Sequence, residues 1–206
     1  MAEEIRRRTI GWRAAPGGYE MEWIAAAWQQ PRARITGAIY LLYFLTAIFA
    51  EVISHRSAVY GNVGNVIANS FYIAVTLLFY SLFKPVNRSV SLLAAFFSMV
   101  GCAIATVGLF HPTPSYLNPL LFFGPYCILI GYLIFRSAFL PRILGLLMAL
   151  AGLGWLIYLL PPAKHLSTYL EILGIVAEGS LCLWLVVIGV NAQRWREQAS
   201  AAGERR

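Results

Sequence analysis

Aspartate is absent from this 206-residue chain, and all nine acidic residues are glutamate. Charged residues make up 12% of it, against roughly a quarter in soluble domains. Hydrophobic residues reach 59%. One soluble core has no room to hide that much apolar surface. This excludes a soluble globular enzyme, and it equally excludes a disordered tail protein. Cysteine is scarce as well: Cys102, Cys127 and Cys182 each fall inside an apolar run. An odd, embedded set makes no disulfide framework, and the spacing fits no zinc motif. No phosphate-binding glycine loop and no Gly-x-Ser-x-Gly elbow occurs. The first apolar run starts at Ile35 and is too long for the core of a cleavable signal peptide.

What is present is a multi-pass pattern. Six apolar segments run Ile35–Ser54, Val66–Phe83, Val90–Phe110, Pro119–Phe135, Ile143–Leu160 and Thr168–Val190. Each is near the roughly 20 residues that carry a helix across about 30 Å of hydrocarbon. None alternates with period two, so they read as helices and not barrel strands. Short connections make neighbours antiparallel. The expected fold is an all-α, polytopic integral membrane bundle of six transmembrane helices.

Orientation follows the basic residues. Of 16 Lys and Arg, only Arg56 and Lys164 fall in the loops His55–Asn65, His111–Asn118 and Pro161–Ser167. The other basic residues lie on the opposite side, with both termini. That bias puts both termini in the cytoplasm. The net charge of +7 is therefore read as a topology signal and not as a nucleic-acid surface.

Three regions result. Residues 1–34 form a cytoplasmic N-terminal segment, 35–190 the transmembrane domain and 191–206 a basic cytoplasmic tail. Within the first, Met21, Ile24, Ala25 and Trp28 recur at helical spacing between Gly17-Gly18 and Pro31. This is either a short interfacial helix or a loosely ordered tail, since short isolated helices are marginal.

Two cytoplasmic hairpins look alike. Tyr80-Ser-Leu-Phe-Lys84 leads into Pro85-Val-Asn-Arg88, and Tyr132-Leu-Ile-Phe-Arg136 leads to Pro141-Arg142. A duplicated hairpin would produce this, as would the common use of a Tyr, a basic anchor and a Pro at such turns. The stretches 78–95 and 131–152, with Gly37-Ala-Ile-Tyr-Leu-Leu-Tyr-Phe-Leu-Thr-Ala-Ile-Phe-Ala50, resemble a bacterial membrane family known as a domain of unknown function, DUF4386. The resemblance extends over about residues 34–194. It implies a six-helix protein of the bacterial inner membrane and brings no activity or catalytic residues. The loop Tyr60-Gly-Asn-Val-Gly-Asn65 departs from the acidic-looking loop associated with the family.

Polar residues inside apolar runs are the candidates for function, because a charge at bilayer depth costs at least a few kcal/mol. Glu178 lies near the middle of the sixth segment. Glu171, Gly174, Glu178 and Cys182 share one stripe, expected to face the bundle interior. Glu51 sits near the outer end of the first helix and Asn69 near the outer end of the second. Ser98, Cys102 and Thr106 share a face of the third. Glu51, Asn69, Thr106, Glu171 and Glu178 are thus expected to line an outward-open pocket. The alternatives are interfacial solvation for Glu51 and Glu171, a structural role for Glu178, and backbone bonding for the hydroxyls. His55, His111 and His165 fall one in each outer loop, and together they form a weak candidate zinc set. Trp155, Tyr158, Tyr116, Tyr126 and Tyr169 read as an aromatic belt. Gly124-Pro125 is expected to break the fourth helix.

Three functional classes remain. One is a module that binds a lipid or small amphiphile, as sensor, accessory subunit or carrier. The second is a small proton-coupled transporter using Glu178. The third is an intramembrane enzyme acting on a lipid-like substrate, with Glu178 or a His–Glu pair as base. No catalytic residue is assigned and no cofactor is expected. The expected partners are membrane lipids and a small amphiphilic ligand, with no nucleic acid. Gly145, Ala149 and Gly152 form a small-residue face suited to close helix contact, either within one chain or in a homo-oligomer.

Overall fold

The computed structural model describes residues 29–111, 114, 117–160 and 165–203. The expected interfacial helix lies outside the described residues. Those described form seven helices and no strand. They are α1 (Gln29–Ser54), α2 (Ala58–Phe83), α3 (Arg88–Gly108), α4 (Leu120–Arg136), α5 (Arg142–Tyr158), α6 (Ser167–Val187) and α7 (Ala192–Gly203). Each of the first six packs on its neighbour in sequence, and α6 packs back on α1, so they close into a ring.

Four of them, α1, α2, α3 and α6, are long and apolar enough to cross a membrane. The apolar α4 and α5 have 17 residues each, roughly 26 Å at 1.5 Å per residue. The outer surface carries large apolar side chains, among them Phe49 (63% exposed), Ile48 (61%), Phe96 (59%) and Ile175 (60%). Soluble monomers rarely show such a belt. Inside, the polar side chains are buried: Thr36, Thr76, Ser91, Ser98, Ser137 and Glu178.

The helix ends depart from the sequence reading in three places. First, α1 is already helical at Pro31, where the sequence reading ended the preceding segment. Second, α2 begins at Ala58, so the first outer loop shrinks to residues 55–57. A Cβ on Gly61 would collide with Ser54, and one on Gly64 with Ala50. The small residues that looked like loop thus let α2 lie directly against α1. Asn62 then donates its amide to the Leu109 carbonyl at 2.9 Å. Third, α4 runs unbroken through Pro125. Pro125 sits early in the helix, so only the Leu121 carbonyl loses its i+4 donor.

Glycine contacts also answer the packing question for α5. A Cβ on Gly145 would meet the Gly131 carbonyl, and one on Gly152 the Gly124 carbonyl. The small-residue face of α5 is therefore occupied by α4 of the same chain.

The tail of the chain is also structured. Gly189, at φ 78°, ends α6 with its N–H on the Trp184 carbonyl, a left-handed position that favours glycine. Asn191 then caps α7 by accepting from the Arg194 N–H at 3.1 Å. The α7 helix lies against the α2–α3 and α4–α5 turns. Trp195 donates its indole N–H to the Leu82 carbonyl at 3.0 Å, and Gln198 donates to the Arg136 carbonyl at 3.3 Å.

Candidate functional site

Glu178 is buried near the middle of α6. The Tyr40 hydroxyl of α1 donates to its Oε2 at 2.5 Å. The Cys127 thiol of α4 lies 3.9 Å from its Oε1. The Tyr72 phenol of α2 also faces this carboxylate. Four helices of the ring therefore converge on one carboxylate. No cation pairs with it among the described residues. Donors are what such a group needs, because a buried charge without a partner is costly.

Aromatic rings build the surroundings. Tyr40 packs edge-on to Phe79 at 5.8 Å and to Tyr72 at 6.1 Å. Tyr72 packs on Tyr126 at 5.9 Å, on Phe123 at 5.4 Å and on Tyr43 at 4.7 Å. The Tyr126 side chain is fully buried, not in an interfacial belt, and its hydroxyl makes no hydrogen bond among the described residues.

Beside the cluster, between α1, α2, α3 and α4, is a half-open pocket of about 240 Å³. Tyr43, Tyr72 and Phe123 form its aromatic walls, Ala68 and Ala105 leave the space, and Asn65 and Asn69 supply amides. Tyr72 lines this pocket and also packs on Tyr40, so it belongs to both features.

The five residues expected to line a common pocket divide. Asn69 lines it and bonds to Thr106 at 2.5 Å and to the Cys102 carbonyl at 2.8 Å. Glu178 does not line it. Glu51 is exposed on α1, 3.7 Å from His55. Glu171 is exposed near the start of α6. Neither glutamate is brought to the pocket, because each lies within about a turn of a helix end. On the α6 stripe, Gly174, Glu178 and Cys182 face inward and Glu171 does not. His55, His111 and His165 are all exposed. Among the described residues, no three His, Cys or Glu side chains gather as metal ligands.

Sequence reasoning passed over Tyr40, Tyr72, Phe123 and Cys127 as site residues. A tyrosine within an apolar run carries no mark that separates core from interface. The one available signal was helical register: Tyr40, Tyr43 and Phe44 share a face at i, i+3 and i+4.

Comparison with known proteins agrees with the resemblance read from the sequence. Residues 113–189 match the family model described as Domain of unknown function (DUF4386). The chain resembles that family. The match takes in α4, α5 and α6, and with them the Cys127–Glu178 contact, whereas Tyr40 and Tyr72 lie outside it. An uncharacterized protein of Archaeoglobus fulgidus is 29% identical over 143 residues, covering 65% of this chain and 86% of the relative. No solved structure matches.

Proposed function

We propose that the protein is a six-span module of the cell membrane, both termini cytoplasmic, that binds a small amphiphilic molecule in the Tyr43–Tyr72–Phe123 pocket. The single observation that carries this reading is the pocket's composition. It is concave and mostly apolar, with three aromatic walls, small or aliphatic residues between them, and two amides, Asn65 and Asn69. Ligand sites are built this way, with apolar walls for affinity and a few polar groups for orientation. The volume of about 240 Å³ favours a small ligand, or one segment of a longer lipid.

Native mass spectrometry of the protein released from mild detergent tests it. The expected result is a discrete retained mass that is lost in Ala105→Phe, which fills the pocket without touching Glu178. A bare protein peak, or a mass indifferent to Ala105→Phe, would overturn it. The topology has its own test. Cys102, Cys127 and Cys182 are all buried, so labelling background is low. Ser57→Cys should react from outside intact cells and Ser89→Cys only after permeabilisation.

A second reading rests on Glu178 itself. A lone buried carboxylate ringed by tyrosine hydroxyls has the parts of a proton site. As a proton-coupled carrier, the protein would drive flux in liposomes that Glu178→Gln abolishes. Equal flux in both proteins would end this reading.

A further inference from the structure

At the opposite end from the outer loops, a second pocket of about 420 Å³ lies under α7. We propose that it holds the phosphate of an anionic lipid headgroup. Its cations come from two separate hairpins: Lys84 and Arg88 flank the α2–α3 turn, and Arg136 ends α4. Gln198, Ala201 and Ala202 of α7 line its other side, and the pocket is half-open.

Topology signalling explains why basic residues collect at this end. It does not explain why three of them share one cavity. Arg142 and Arg194 provide the contrast. Arg142 stacks over Phe135 at 5.6 Å, and Arg194 reaches the Ala138 carbonyl at 3.4 Å. The side chains of Lys84, Arg88 and Arg136 make no hydrogen bond or ion pair among the described residues. Gathered like charges repel, and an anion between them converts repulsion into charge-assisted hydrogen bonds. The first turn of α3 adds the positive end of its dipole, because Asn87 and Arg88 line the pocket.

The α7 side is held in place. Gln198 accepts from the Ala138 N–H at 3.1 Å while donating to the Arg136 carbonyl. It therefore locks α7 to the residue that supplies one cation. The source of the anion follows from depth. If α2 and α4 cross the membrane, their shared end sits at the headgroup layer, where basic pockets select anionic lipids. The proposal rests on that membrane reading and not on the aromatic pocket.

The test is native mass spectrometry of the full chain in mild detergent, titrated with phosphatidylglycerol or phosphatidylcholine. Phosphatidylglycerol is expected to be retained and phosphatidylcholine not. Arg88→Gln and Arg136→Gln should each weaken retention roughly tenfold, the loss of one charged hydrogen bond. Arg142→Gln, an equal charge change outside the pocket, should leave it unaltered. Ala201→Trp, which fills the space without changing charge, should weaken it too. An equal loss in Arg142→Gln would overturn the site in favour of diffuse surface charge. Displacement of the lipid by inorganic phosphate at similar concentration would overturn the lipid as source. Ala105→Phe should have no effect here, so failure of the aromatic pocket and failure of this site are separable.

Discussion

Tyr40 on α1 and Glu178 on α6 stand 138 residues apart in sequence and 2.5 Å apart, hydroxyl to carboxylate, inside the helix ring. The contact closes the ring chemically where α6 packs back on α1. Tyr40→Phe leaves the ring stacking and removes only the donor. Half-made buried hydrogen bonds cost about 1–3 kcal/mol. Thermal unfolding in detergent should show a loss of that size. Glu178→Gln keeps an oxygen that accepts from Tyr40 and should cost less than Glu178→Leu. In the double variant Tyr40→Phe/Glu178→Leu the losses should fall short of the sum. Additive losses would mean that the two groups act independently.

The α4–α5 pair depends on backbone approach. A Cβ on Gly145 would stand 2.7 Å from the Gly131 carbonyl oxygen and 2.9 Å from the Phe135 nitrogen. Gly145→Leu must push the helices apart, and overpacking of this kind costs typically 1–3 kcal/mol or more. Gly179 is the internal control, because a Cβ there meets nothing within 4 Å. Gly179→Ala should be neutral or stabilising by up to about 1 kcal/mol, the helix-propensity difference. Unfolding temperatures of the two variants should therefore move in opposite directions, or the second should not move.

Much of this architecture was legible because lipid imposes a length and a composition on any span. Glu178 was legible for the same reason: a lone carboxylate in an apolar run has to be paired somewhere. The first turns of α2 were not. Tyr60-Gly-Asn-Val-Gly-Asn65 is small and polar, and its helix is specified by contacts with Ser54, Ala50 and the Leu109 carbonyl, which no local pattern contains. The partners of Glu178 were hidden by ring order. Tyr40, Tyr72 and Cys127 come from three different helices, and only the order in which helices close the ring makes them neighbours. Glu51 and Glu171 had the right residue type but the wrong depth.

Asn69 joins α2 to α3 through the Cys102 carbonyl at 2.8 Å and the Thr106 hydroxyl at 2.5 Å. Polar contacts between membrane helices are worth about 0.6–2 kcal/mol. Asn69→Ala should destabilise by that amount and also enlarge the neighbouring pocket. Thr106→Val removes one of the two contacts and should cost less. The order of the two melting points checks the assignment. A larger effect in Thr106→Val would mean that its own helix, through the 2.9 Å bond to Cys102, is what it supports.

The α7 helix buries no residue fully, so it is held by a few directed bonds and not by a core. Trp195 supplies the one of longest range in sequence, from its indole nitrogen to the Leu82 carbonyl at 3.0 Å. Because Leu82 is in the last turn of α2, this carbonyl has no continuing helix to satisfy it. Trp195→Phe keeps most of the apolar contact and deletes the donor. Elements with little burial open at low free energy, so the loss should appear as local release and not as global unfolding. Limited proteolysis should then cut between Val190 and Gly203 several-fold faster than in the parent, while the melting temperature of the six-helix ring stays within about a degree, as small changes outside a core predict. Gly189→Ala should give the same cleavage pattern by another route, because φ 78° is strained for alanine. Unchanged cleavage in both variants would mean that α7 is secured by its other bonds, those of Gln198 and Arg194 among them, and Gln198→Ala combined with Arg194→Ala would then be the variant that releases it.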